Sequence, residues 1–317
     1  MKAVKPWRSL EQQLEILKSR GLSVEDDEAA FRYLARIGYY RLSGYWYPMR
    51  EKDMVASSKE RRPIRMEQFI DGSRFEDAVK LYIFDAKLRL LALDALERIE
   101  LAVRVDVAHL LGEYDPCAHK DFRYLHGHFT KKKIENGLYK GKTEHQVWLE
   151  KYEQQLKRSR RESFVEHHKR EYGGELPIWV AIEVWDFGML SKLFAGMNLK
   201  DQAFIAKKYD VADGRTFASW LRSLNFIRNV SAHYSRLWNC NILELSPVPT
   251  AWKHVVNNKP FLYFCFMQQM LKGLCPNSSW SQRFKDVLGE FPFEEDYIIR
   301  LRDFGLVEGW QDWDIWK

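Results

Sequence analysis

The sequence predicts an all-α protein, and three observations carry that prediction. Alternation of apolar and polar residues, the mark of a half-buried strand, is nearly absent. From Phe75 to Leu111 there is no proline or glycine. Apolar residues there recur in steps of three or four, at Val79, Tyr82, Ile83, Ala86, Leu90, Leu93, Leu96, Ile99, Val103, Val107 and Leu110. Several apolar runs also open on a capping residue and close on glycine or proline.

Taken in order, Ser9 caps a helix carrying Leu10, Leu14 and Leu17, and Gly21 stops it. Ser23 with Asp26 resembles a capping box opening a second helix with Ala30, Phe31, Leu34 and Ile37. The aromatic segment 37–48 reads as a short helix and a turn, and polar 51–65, with Arg61-Arg62-Pro63, as a loop. The long helix from Phe75 spans about 55 Å and ends at Gly112 and Pro116. Residues 112–142 are irregular, with Lys131-Lys132-Lys133 among them, and 144–172 are polar and helical. Pro177 opens an apolar helical stretch, Ile178 to Phe194. Helices follow at 200–209, 215–230, 261–271, 281–288 and 294–303. In the second of these, Phe217, Trp220, Leu221, Leu224 and Ile227 share one face. The division is a body over 1–245 and a C-terminal helical extension over 246–317 packed on it.

Composition narrows the function classes. Apolar types make 46% and charged types 30% of 317 residues, which excludes collagen-like, disordered and mucin-like chains. Mean hydropathy is −0.46, and no run of 18 apolar residues argues for a membrane span. A net charge of +6 permits an anionic partner without requiring one. The first thirty residues lack an apolar leader core, and Cys117, Cys240, Cys265 and Cys275 show no CxxC pair. A cytoplasmic chain with reduced thiols is the expectation.

The sharpest chemical pattern is Arg228-Asn229-Val230-Ser231-Ala232-His233, closing an apolar helix. An imidazole titrates near neutrality and can move a proton. A guanidinium offers a planar fork of donors to phosphate. Together they suit metal-free RNA cleavage, in which His233 handles the proton of a ribose 2′-hydroxyl or of the leaving 5′-oxygen and Arg228 stabilises the phosphorane charge. On an ideal helix, residues five apart point about 140° apart. Either the helix deforms, or the groups meet through a second copy of the chain. The same spacing also suits an Arg paired with a core carboxylate and a His capping a helix end.

Four ordered blocks surround this pattern. They are Ile37-Gly38-Tyr39-Tyr40-Arg41-Leu42-Ser43-Gly44-Tyr45-Trp46; Leu81-Tyr82-x-Phe84-Asp85-x-x-Leu88-Arg89, continuing into Leu96-Glu97-Arg98-Ile99-Glu100 and Arg104; Leu176-Pro177-Ile178-Trp179 through Phe187-Gly188-x-Leu190-Ser191; and Trp220-Leu221 with Arg228-Asn229-x-x-Ala232-His233-x-Ser235-Arg236-Leu237-Trp238-Asn239. In this order they resemble the Abi-like (AbiD/AbiF type) abortive-infection proteins, and R-x4-H resembles the motif of the HEPN superfamily. The resemblance implies a HEPN-like helical bundle with added N- and C-terminal helices. It further implies a metal-independent endoribonuclease toxin of phage defence, with a composite site between two copies. Its products would carry a 2′,3′-cyclic phosphate and a 5′-hydroxyl, and a small regulatory RNA is a possible partner. Catalytic roles fall to Arg228 and His233, with Asn229 as a positioning group.

Around that core, Glu97, Arg98, Glu100 and Arg104 read either as a structural ion-pair ladder or as a row facing the motif. Arg236 is a phosphate candidate or an exposed ion pair. Lys157, Arg158, Arg160 and Arg161 centre a segment, 151–170, holding seven Lys or Arg against three Glu; this is an RNA-tracking face or a solvated helix surface. The aromatic block around Tyr40 and Tyr45 reads as core more than as a stacking platform. Cys117, His119, His126 and His128 lie close in sequence, but their spacing matches no usual zinc site, so no metal or cofactor is expected. A non-catalytic protein that holds a structured RNA is the alternative reading.

Overall fold

The computed structural model describes residues 4–60, 64–294 and 297–317. Ser9 opens helix α1 (Leu10–Ser19) by a reciprocal capping box with Gln12, and Gly21 leaves it in a positive-φ conformation, as its position suggested. Asp26 alone caps α2 (Asp27–Ile37), accepting from the Ala29 amide. Ser23 instead pairs its backbone with Ser73 and Phe75. The aromatic block forms α3 (Tyr39–Trp46) and a 3₁₀ turn, Tyr47–Met49.

Residues 51–65 are not one loop. Strand β1 (Arg50–Lys52), helix α4 (Met54–Glu60) and strand β2 (Arg65–Phe69) form a small antiparallel hairpin with an irregular register between Arg50 and Lys52. Arg61-Arg62-Pro63 lies outside the described residues.

Helix α5 (Phe75–Tyr114) is 40 residues long, about 60 Å. Gly112 does not end it. A side chain there would meet the Trp179 ring at 3.3 Å, so glycine admits the tryptophan, and the helix stops at Asp115 before Pro116. The short helix α6 (Gly127–Thr130) interrupts the irregular stretch. The polar helical region is two helices, α7 (Glu144–Arg158) and α8 (Ser163–Tyr172). Pro177 stands before α9 (Ile178–Ala181), which passes through a 3₁₀ turn, Ile182–Val184, into α10 (Phe187–Gly196). Then come α11 (Leu199–Lys208), α12 (Gly214–Ala232), α13 (Phe261–Leu274) and α14 (Trp280–Gly289). The helix expected over 294–303 is absent from its described part, where only a 3₁₀ turn begins at Leu301; Glu295 and Asp296 lie outside the described residues.

The protein is thus mostly α, 63% helical with 14 helices and one two-stranded sheet among the described residues. α5 is the central rod. Leu81, Leu88, Ala92, Ala95, Ile99, Val103 and Val107 are fully buried on it. α12 and α13 pack along it, α3 crosses its start, α14 lies beside its middle and α9 covers its end. The Trp280 indole donates to the Leu91 carbonyl at 2.9 Å, tying α14 to the rod. No helix among the described residues is long and apolar enough to cross a membrane.

The Cys/His group is dispersed. Cys117 lies by Glu175, and the His126 ring accepts from the His128 amide. His119 is fully buried among Trp148, Tyr152 and Trp185, with ring centroids 5.5–6.3 Å away. No group of three or more His, Cys, Asp or Glu among the described residues is arranged to hold a metal.

Candidate active site at the end of helix α12

α12 starts where Asp213 accepts from the Arg215 and Thr216 amides. Phe217, Trp220, Leu221, Leu224 and Ile227 are buried, as the periodicity required, so the helix is fixed on its inner face. Its outer side carries Asn229, exposed, and Arg228, half-buried. The end of the helix is then strictly defined. The His233 amide donates to Asn229, the Tyr234 amide to Ser231 and the Ser235 amide to Val230, at 3.0, 3.2 and 2.9 Å. This is a Schellman closure, with Tyr234 in the left-handed position that glycine normally fills (φ 58°). A β-carbon there costs about 1 kcal/mol. The helical path therefore ends at Ala232, and His233, at φ −91° and ψ 14°, is an exposed cap residue.

Two sets of contacts hold that strained corner. Arg41 of α3 donates to the Tyr234 carbonyl and lies over the Tyr234 ring, 5.8 Å from its centroid. Arg236 donates to the Gly44 carbonyl, so it is half-buried and committed to α3.

Deeper, the completely buried Asp85 of α5 accepts from the Leu237 amide (3.1 Å), the Trp238 amide (2.6 Å) and the Tyr45 hydroxyl (2.7 Å), and pairs with Arg89 one turn on. Full burial raises the Asp85 carboxyl above its ordinary pKa, while Arg89, Tyr45 and the two amides pull against that. The same burial, with the Asp85 charge beside it, pushes the Tyr45 phenol up. Asp85 was visible in the sequence only as part of a block. Neither its pairing with Arg89 nor its burial nor the loop it holds was read there.

The flanking residues divide. Glu100 and Arg104 form the i,i+4 pair their spacing suggested, at 2.5 Å, and Arg104 also donates to the Ile182 and Trp185 carbonyls. Arg98 bonds Asp94 and the Ser278 hydroxyl, which turns it toward the segment before α14. Glu97 is exposed, on the stripe of α5 that also presents Leu90 and Leu101. Tyr45 and Trp46 are core, whereas Tyr40 is 92% exposed.

Lys157, Arg158, Arg160 and Arg161 are exposed, and none forms an ion pair among the described residues. Gln155 and Lys151 of α7 bond Asp186, which caps α10, and Gly188 leaves room there for Asn225, one turn before Asn229.

Chemically, this corner offers an exposed imidazole, a guanidinium whose one hydrogen bond among the described residues is 3.4 Å to Asn229, and an amide, all on a backbone clamped from below. Such a set can move a proton and hold an anionic oxygen. No curated protein and no solved structure matches the chain. A family model for Abi-like proteins matches residues 32–239, from the aromatic block through the Asp85 clamp to Asn239. The chain therefore belongs to the Abi-like protein family, a membership that points to abortive-infection defence.

Proposed function

We propose that this chain is a metal-independent endoribonuclease toxin of the HEPN type, acting in phage defence. The observation that carries the reading is the contrast at the end of α12. Among the described residues Arg228 and His233 make no ion pair, while Leu237 and Trp238 just beyond are anchored to a buried carboxylate. Reactive groups held on a fixed backbone, with most of their own hydrogen-bonding capacity unspent, suit catalysis.

In the proposed step, His233 takes the proton from a ribose 2′-hydroxyl, or gives one to the departing 5′-oxygen from the second copy. The 2′-oxygen forms its bond to phosphorus as the bond to the 5′-oxygen breaks. Products are a 2′,3′-cyclic phosphate and a 5′-hydroxyl. Arg228 neutralises the charge growing on the phosphoryl oxygens, and Asn229 orients the phosphate.

A second copy is supported by the apolar surface of α5 and α9. Leu90, Leu101, Val105 and Trp179 are each more than half exposed, and the last two line a groove of ≈ 440 Å³.

The test is cleavage of RNA in EDTA. His233→Ala is expected to lower the rate by about 10²- to 10⁴-fold and Arg228→Ala by about 10²-fold. Equal rates in all three proteins reject the assignment. Leu101→Lys is expected to give a folded monomer by sedimentation, with cleavage lost; an intact, active dimer would move the interface elsewhere. The exposed cations of Lys157 to Arg161 favour one other reading, a protein that holds a structured RNA uncut. Tight, salt-sensitive binding with no product in any condition would select it.

A further inference from the structure

Away from the end of α12, the β1–β2 hairpin and the C-terminal segment after α14 enclose a polar cavity of ≈ 660 Å³. Lys52, Arg65, Arg300 and Arg302 line it, with Glu51 and Asp303. The lining is net positive, and among the described residues none of its four cations has an ion-pair partner. Arg65 is partly buried, and desolvation opposes its charge more than Tyr47 and Asp303 support it. One of its nitrogens donates to the Arg50 carbonyl at 2.7 Å. Among the described residues, Arg300 donates only through Nε, to the Tyr297 carbonyl at 3.2 Å, and neither terminal nitrogen has an acceptor there. Tyr297 in turn donates to the buried Asp77 of α5 at 2.8 Å, so this wall is tied to the central rod.

Cations gathered in a partly desolvated space repel one another, and an anion with several acceptor oxygens relieves that repulsion. Guanidinium forks match phosphate oxygens in pairs. The volume lies in the range of small-ligand sites.

We propose that this cavity binds a phosphate-bearing nucleotide unit, its phosphate held by Arg65, Arg300 and Arg302 and its sugar hydroxyls donating to Glu51 and Asp303. The unit comes either from a free nucleotide or from one position of an RNA strand. The site stands whether or not the chain cleaves RNA.

The experiment is equilibrium binding of ATP and of a short single-stranded RNA to the full chain carrying His233→Ala, which keeps RNA intact. Arg302→Gln, at an exposed position, and the Arg300→Gln/Arg302→Gln double variant are compared with that parent. The double variant is expected to bind about tenfold more weakly or worse, with a shallower salt dependence. Weakening of ATP binding identifies a free nucleotide as the source. Weakening of RNA binding alone identifies a strand position. Unchanged affinity for both probes in both variants, or no binding of either probe by the parent, overturns the proposal.

Discussion

Asp85→Ala is expected to destabilise the protein by about 3–5 kcal/mol, measured by urea denaturation, and to abolish cleavage. The substitution strands Arg89 as a buried cation and leaves the Leu237 and Trp238 amides without their acceptor. Most of the cost comes from those orphaned groups, not from the lost attraction. A double variant, Asp85→Leu with Arg89→Met, removes the stranded charge and is expected to recover part of the stability but no activity, because the loop after His233 stays unclamped. Both variants as stable as the parent would show that the clamp contributes nothing. Full activity in the double variant would separate the clamp from the site.

The second large effect is on acid stability. His119 is sealed among aromatic rings, and burial pulls its pKa down to about 3 from the ordinary 6.5. The folded state therefore keeps the ring neutral where the unfolded chain takes up a proton. The stabilisation is complete above about pH 6.5. It is lost as pH falls toward about 3, at about 1.4 kcal/mol per unit. Between pH 6.5 and 4.5 this amounts to about 2–3 kcal/mol. His145, whose pKa is also lowered by burial, adds a smaller contribution of the same sign. His119→Phe keeps the ring contacts and is expected to flatten most of this slope in denaturation curves recorded across pH. An unchanged slope would mean that His119 is protonated in place or never titrates in the unfolded chain.

What could be read from the sequence follows a physical line. α5 and α12 were legible because each buries one face over many turns, so periodicity reports packing directly, and α13 because its apolar run is long enough for a helix buried on nearly every side. The hairpin around 50–69 was not, since its strands are short and mostly exposed and show no apolar alternation. Gly112 misled as a stop because its missing side chain serves a contact with Trp179, 67 positions away, which local rules do not see. Arg228, Asn229 and His233 could be singled out by type and spacing. The Schellman corner at Tyr234 could not, because its glycine position holds a tyrosine. Arg98, Arg104 and Arg236 illustrate the remaining limit: sequence shows a cation, but only the fold shows the distant hydroxyl or carbonyl oxygens that occupy it.

The clamp joins Asp85 to amides 152 and 153 positions later. On a ribosome adding roughly 5–20 residues per second, the carboxylate waits on the order of 8–30 s for Leu237 and Trp238 to emerge. Through that interval the emerging polypeptide has no ordered corner to present to the translation machinery or to the message being read. On the proposed function, cleavage is thereby deferred until synthesis has passed the last of the anchoring amides.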